Sequence, residues 1–369
     1  MPITEERKRI LKMIEEGKLS AEQALPLLEA LELDSQKSEQ KEEMLVHELS
    51  THVNWDEGTH QSKGKTYKTV KTSVLDFLDQ AVKKIKDFDL DFNFGSSMSV
   101  SHIFQHSDVY LTDIDIDVAN GSIQMIPWNE RDVRVECEAK VYQAQTEEEA
   151  RRSFLQDVLF SIEGGKLKYS VQKKKMKVDA KIFVPEAQYD TISVRLFNGR
   201  IDGEGLRVKE FKAKTANGKI TANRFETHKF EVETANGHIT VGQLKSKKVE
   251  AETINGTINI SGSYEKGDIQ SFNGNVICTV DTSLCETLLI KSTTGNVDII
   301  VPRNRHIQGE LKSNVGSFRC DLTHLVKKEE KAEIVQKYLK FEANALESDQ
   351  PLFIDGDTKT GSILIKEVK

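Results

Sequence analysis

The fold class predicted for this 369-residue chain is mainly β, a parallel β-solenoid. Three observations predict it. The dipeptide Asn-Gly recurs at Asn198, Asn217, Asn236 and Asn255, each 19 residues after the last. Apolar residues occupy fixed places around every copy. Between those places lie mostly Lys, Glu, Asp, Arg, Asn and Thr.

With each Asn as position zero, units are centred on Asn120, Asn198, Asn217, Asn236, Asn255 and Asn273. Their glycines are Gly121, Gly199, Gly218, Gly237, Gly256 and Gly274. Degenerate units keep only the glycine, after Thr294, Val315 and Thr360. Position +3 is Ile123, Ile201, Ile220, Ile239, Ile258, Val276 and Val297; position −2 is Thr215, Thr234, Thr253, Ser271 and Ser292. Each arm alternates with period two, as a half-buried strand does. Asn and Gly tolerate positive φ, so Asn-Gly predicts a sharp corner between two strands. One such unit buries too little to offset the ordering of its own backbone. Copies must therefore stack, like on like. An antiparallel meander of Asn-Gly hairpins is the rival arrangement. It leaves one apolar face needing a cover, which favours the solenoid.

The remaining elements follow along the chain. Residues 3–33 predict a helical hairpin. Ile10, Leu11 and Ile14 make one apolar face, Gly17 stops the first helix, and Ser20 with Gln23 starts the second. Ala24, Leu27, Leu28 and Leu31 then recur at helical spacing. A hairpin this small has no core of its own, so these seven residues are candidate partner-binding or self-association positions. Residues 34–72 are polar and charged and read as a flexible linker. In residues 73–88, Val74, Leu78, Ala81, Ile85 and Phe88 form one apolar stripe, which predicts an amphipathic helix. The expectation is that it plugs the open end of the solenoid; with Lys83, Lys84 and Lys86 on the polar side, a membrane-surface helix is the alternative. The solenoid takes residues 89–369. Insertions near 146–159 and 323–347 read as helical: the first has Thr146 and Glu149 as a capping box, the second is the Lys/Glu-rich run KKEEKAEIVQKYLKFEA.

Composition narrows the function. The net charge is −7, against the basic stripe a general nucleic-acid binder needs. Cys137, Cys278, Cys285 and Cys320 form no Cys-x-x-Cys pair and suggest neither zinc nor redox chemistry. The first residues lack the apolar core of a secretory signal, and no apolar run reaches the ~20 residues needed to cross a bilayer. The expectation is a cytoplasmic protein, with peripheral contact at the inner membrane face and export by another route both left open. No Walker loop, His-Glu-x-x-His, Rossmann fingerprint or nucleophile elbow is present. His102 and His106 make a poor metal pair, and Asp113, Asp115 and Asp117 read as the outward face of a strand. No enzyme, cofactor or metal site is expected. A carbohydrate-binding or polysaccharide-cleaving solenoid stays open, because carboxylates can sit on an outer face.

The segment ILKMIEEGKLSAEQALPLLEAL resembles the SHOCT-like module of YvlB- and LiaX-type proteins of Gram-positive bacteria. The NGxIxV rungs, with KIFVPE before them, resemble the bacterial putative-adhesin domain of unknown function found in the same proteins. The resemblance covers residues 3–33 and 90–367. It implies a non-enzymatic scaffold or regulator of the cell-envelope stress response. The implied partners are membrane proteins of the phage-shock or Lia type. For the LiaX-like relatives it further implies sensing of membrane-active antimicrobial peptides. A surface adhesin is the alternative that the domain name carries.

Overall fold

The computed structural model describes residues 96–282, 284–332, 336–345 and 350–368. The helical hairpin 3–33 with its seven candidate residues, the linker 34–72 and the helix 73–88 lie outside the described residues. The chain enters through β1 (Ser97–His106) and lays its first rung as one bent strand, β2 (Asp113–Trp128), around Asn120. An excursion follows: β3 (Val133–Tyr142), α1 (Glu147–Asp157), β4 (Val158–Glu163), β5 (Lys166–Val171) and β6 (Met176–Pro185). The array resumes with β7 (Gln188–Asn198), β8 (Ile201–Glu204), β9 (Arg207–Asn217), β10 (Ile220–Asn223), β11 (Glu226–Asn236), β12 (Ile239–Asn255) and β13 (Ile258–Asn273). It continues through β14 (Val276–Val280), β15 (Thr287–Thr294), β16 (Val297–Val301), β17 (Ile307–Ser313) and β18 (Phe318–Asp321). Last come β19 (Leu325–Ala332), β20 (Lys337–Ala343), β21 (Leu352–Thr358) and β22 (Ile363–Glu367).

The described contacts between successive Asn-Gly rungs are parallel and in register, apart from a one-residue shift between Val241 and Leu244 where β12 meets β13. Ile220 lies beside Ile201 on one side and Ile239 on the other, and Ile239 beside Ile258. Phe230 lies between Phe211 and Val249. The meander is thereby excluded, since it pairs the two arms of one unit with each other. The core is the stacked +3 column, with Leu206, Phe225 and Leu244 as its third inward point, all at most 2% exposed. Phe211, Phe225 and Phe230 form an aromatic cluster inside it, with ring centroids 4.8–5.7 Å apart.

The spatial order of rungs departs from the chain order at both ends. β5 and β6 form a rung of their own, paired parallel to the two arms of β2 on the side away from β7. The Asn-Gly count misses it because no Asn-Gly marks its corner. At the other end, β21 and β22 thread between two rungs already laid: β15 and β16 on one side, β17 and β18 on the other. The unit at Thr360 is therefore an inserted rung.

Both ends carry antiparallel strands. β4 lies on β5, and β3 then β1 lie on β6. Helix α1 starts at Thr146, whose side chain accepts from Glu149 N at 3.2 Å, and buries Ala150 and Phe154. The expected helix at 323–347 is a correction. That stretch is the hairpin β19–β20, with β20 paired antiparallel to β17. Its Lys/Glu content favours a helix, but Leu339, Phe341 and Ala343 alternate with period two and are buried on the edge rung. Tertiary burial and a free ladder edge override propensity here.

Candidate functional site

The Asn-Gly corners are built for stacking. Asn198, Asn217, Asn236, Asn255 and Asn273 each donate from Nδ2 to Oδ1 of the preceding rung's Asn at 2.8–3.0 Å. Asn120 begins the ladder, donating to Lys174 O at 3.2 Å. The buried hydroxyl column runs beneath it. Thr215, Thr234, Thr253, Ser271 and Ser292 donate to the carbonyls of Gly199, Gly218, Gly237, Gly256 and Gly274 at 3.1–3.2 Å. Gly199, Gly256 and Gly274 are required both by φ (+140°, +158° and +150°) and by close approach, Gly218 and Gly237 by approach alone. A Cβ on Gly199, Gly218, Gly237, Gly256 or Gly274 falls 1.5–2.0 Å from the carbonyl oxygen of the glycine in the rung before. These corner residues carry structure and leave no group for chemistry.

The outer face of the first arms is different. Positions −5 and −3 point away from the core and form a charged ladder. Lys214 donates to Glu233 at 2.5 Å, Lys212 and Lys229 both grip Glu231, and Lys229 and Lys248 grip Glu250. Burial alone pushes the Glu231 carboxyl up, but its two lysine hydrogen bonds outweigh that and hold it at about 2. Glu252 has no such partner. Burial and the charges of Glu233 and Asp268 push it up to about 8, and its Oε2 is buried without a hydrogen bond among the described residues. Burial also raises Asp268, Asp355 and Asp357. Asp115 pairs with Lys166 and Arg195, and Asp117 with Arg195, so the Asp113–Asp117 run serves ion pairing on this face.

Beside this ladder runs an apolar stripe that the sequence reading passed over. Position −1, also outward, is Ala119, Phe197, Ala216, Ala235, Ile254 and Phe272 on successive rungs. Ala216 and Ala235 are 2% and 3% exposed, Phe197 and Ile254 are half-buried, and Phe272 is 37% exposed. The signal was present in the sequence: an apolar residue directly before each Asn, where the alternation calls for a polar one.

Elsewhere, an open groove of about 1310 Å³ lies over β1, β3, β6 and β2, lined by charges of both signs including Glu136, Lys177, Asp179 and Arg200. His102 packs against Phe104 with ring centroids 4.4 Å apart, which accounts for it as a packing residue. All four cysteines are free thiols. Among the described residues no group of three His, Cys, Asp or Glu is placed to hold a metal, and no helix is long and apolar enough to cross a membrane.

Stacked parallel rungs with hydroxyl, Asn and Gly columns define a repeat protein of the β-solenoid class. The chain belongs to the Toastrack DUF4097 family, whose match spans residues 105–345. Residues 5–32 match a SHOCT-like domain. The chain is 47% identical over 364 residues to the uncharacterized protein YvlB of Bacillus subtilis (strain 168), covering 98% of each chain. Among solved structures it is similar to a putative adhesin from Parabacteroides distasonis, with 13% identity, TM-score 0.40, and coverage of 74% of this chain and 98% of that one. It is likewise similar to a putative adhesin from Parabacteroides merdae, with 12% identity, TM-score 0.40, and coverage of 73% and 96%.

Proposed function

We propose that this protein is a non-enzymatic scaffold and regulator of the bacterial cell-envelope stress response, working through protein–protein contacts. The observation that carries the reading is the −1 stripe from Phe197 to Phe272, flanked along its length by the charged ladder. An apolar strip with a charged border on a rigid support is the anatomy of a contact face. The relative is a Bacillus subtilis protein; the partners in this reading are membrane-bound stress proteins of the phage-shock or Lia type. The SHOCT-like segment then supplies a second, tethered contact. The proposed location is the cytoplasm, at the inner membrane face. The test is recovery of partners on the full chain from cells under membrane stress, with cell fractionation alongside. The expected result is enrichment of one membrane protein and a cytoplasmic or inner-face pool. A chain found only on the outer surface would show the adhesin reading to be correct instead.

A further inference from the structure

An edge strand presents a row of unpaired backbone N–H and C=O groups, and proteins blunt such edges with charge, irregular pairing or brevity. Among the described residues, β1, β4, β18 and β19 each have one lateral partner. β18 is four residues long. β19 carries Lys327, Lys328, Glu329, Glu330 and Lys331, and its register shifts between Lys327 and Glu329. β4 has six residues and ends on Glu163. β1 has none of these devices. Its ten residues, SMSVSHIFQH, include no Lys, Arg, Asp, Glu, Pro or Gly, and all of them pair with β3 without a register shift. We propose that the open edge of β1 is an association site, on which β1 of a second copy of this chain adds as an antiparallel strand and joins the two sheets.

The parity of the ladder identifies the groups that face this edge. Gln143 N donates to Ser96 O at 3.3 Å, on the β1 side, while Tyr142 N donates to Lys175 O at 2.9 Å, on the β6 side. In an antiparallel pair, alternate residues bond to a given neighbour. Met98, Val100, His102 and Phe104 therefore bond to β3, and the N–H and C=O of Ser97, Ser99, Ser101, Ile103 and Gln105 point to the open edge. The strand is also held in place. Phe104 stacks on Phe160 with ring centroids 5.2 Å apart. Asp132 accepts from Gln105 Nε2, Ser107 Oγ and Asp108 N at 3.0–3.1 Å, which pins the far end. A strand ordered beforehand loses little conformational freedom on pairing. Self-complementarity selects a second copy as the occupant. With a net charge of −7 two copies repel each other, least where the contact is free of charge. A two-fold axis at Ser101 sets Ser99 against Ile103, Ser97 against Gln105 and Met98 against Phe104, with no charged residue opposite another. It also gives Ile103, which is 52% exposed, a cross-strand neighbour. On the adjoining β3, Arg134 already pairs with Glu136 at 2.7 Å.

β1 carries no residue of the −1 stripe, so this site stands or falls apart from the scaffold reading. The test is sedimentation of the full chain over a concentration series, with residue-resolved hydrogen exchange alongside. The expected result is a monomer–dimer equilibrium. The amides of Ser99, Ser101 and Ile103 should gain protection as concentration rises, while those of Val100 and His102, bonded to β3, stay protected throughout. Ser101→Pro removes an N–H that faces the open edge and no bond to β3. Ser99→Lys/Ile103→Lys keeps the backbone intact and sets like charges opposite each other across the two-fold. Each variant should weaken dimerisation by about tenfold or more, with the unfolding midpoint close to wild type. A chain that stays monomeric, with those three amides exchanging freely, would overturn the proposal and leave the edge to a strand of another protein. Protection that does not change with concentration would overturn it in favour of cover by the same chain. A dimer unmoved by both variants would place the association elsewhere and overturn it as well.

Discussion

Replacing Gly237 with Ala isolates what the corner glycines are for. Gly237 does not lie in the left-handed region, so Ala suits its backbone conformation. What forbids Ala is the rung below. The added Cβ falls 1.8 Å from Gly218 O, and must move to beyond 3.0 Å, a displacement of about 1.2 Å. That displacement strains Gly237 N→Asn255 O (2.9 Å), Asn236→Asn217 (3.0 Å), Thr234→Gly218 O (3.1 Å) and Thr253→Gly237 O (3.2 Å). Each is worth about 0.5–1.5 kcal/mol net, so losing all four costs about 4 kcal/mol. The control is Gly164→Ala, at the turn between β4 and β5. There φ is +56° and no atom lies within 4 Å of the new Cβ, so the cost is backbone strain alone, about 1 kcal/mol. Urea unfolding of both variants, with hydrogen exchange to locate the loss, makes the comparison. The loss should centre on the rungs of Asn217, Asn236 and Asn255. If Gly237→Ala costs no more than Gly164→Ala, close rung approach is not the constraint and the argument fails.

Three further outcomes are expected. Glu231 is held low, at about 2, against an ordinary 4.5, so its stabilisation is full above about pH 4.5 and is lost as pH falls toward 2; Glu231→Gln should be less stable than wild type by on the order of 1 kcal/mol at neutral pH, after allowing for solvent screening, and equal to it near pH 2 in paired unfolding curves. Burial pushes the Cys137 thiol up to about 11 and Cys278 and Cys285 up to about 12, so a thiol reagent at neutral pH should label these three only after denaturant is added; rapid labelling of the native chain would contradict the packing described. Leu28→Asp, or removal of residues 1–35, should abolish recovery of the membrane partner or self-association while the solenoid's unfolding midpoint stays within about 0.5 kcal/mol of wild type; unchanged recovery would make the SHOCT-like segment a passive appendage.

The sequence by itself determined the rung. Period-two alternation around Asn-Gly at 19-residue spacing names which residues face inward, and the stacked Ile201, Ile220, Ile239 and Ile258 follow from it directly. It also located the hydroxyl and Asn columns and the helix begun by Thr146. The tertiary structure alone decided three things. It decided spatial order, because a rung's slot depends on which ladder edge is free when the chain returns; hence β21 and β22 enter between rungs laid earlier. It decided that residues 325–343 are strands, because the edge of β17 and the burial of Leu339 and Phe341 outweigh a Lys/Glu-rich helical propensity. And it showed the −1 column to be one continuous stripe. A lone Ala or Phe before each Asn is an ordinary surface residue along the chain. It becomes part of a continuous apolar stripe only when parallel stacking, at about 4.8 Å per rung, sets the copies side by side.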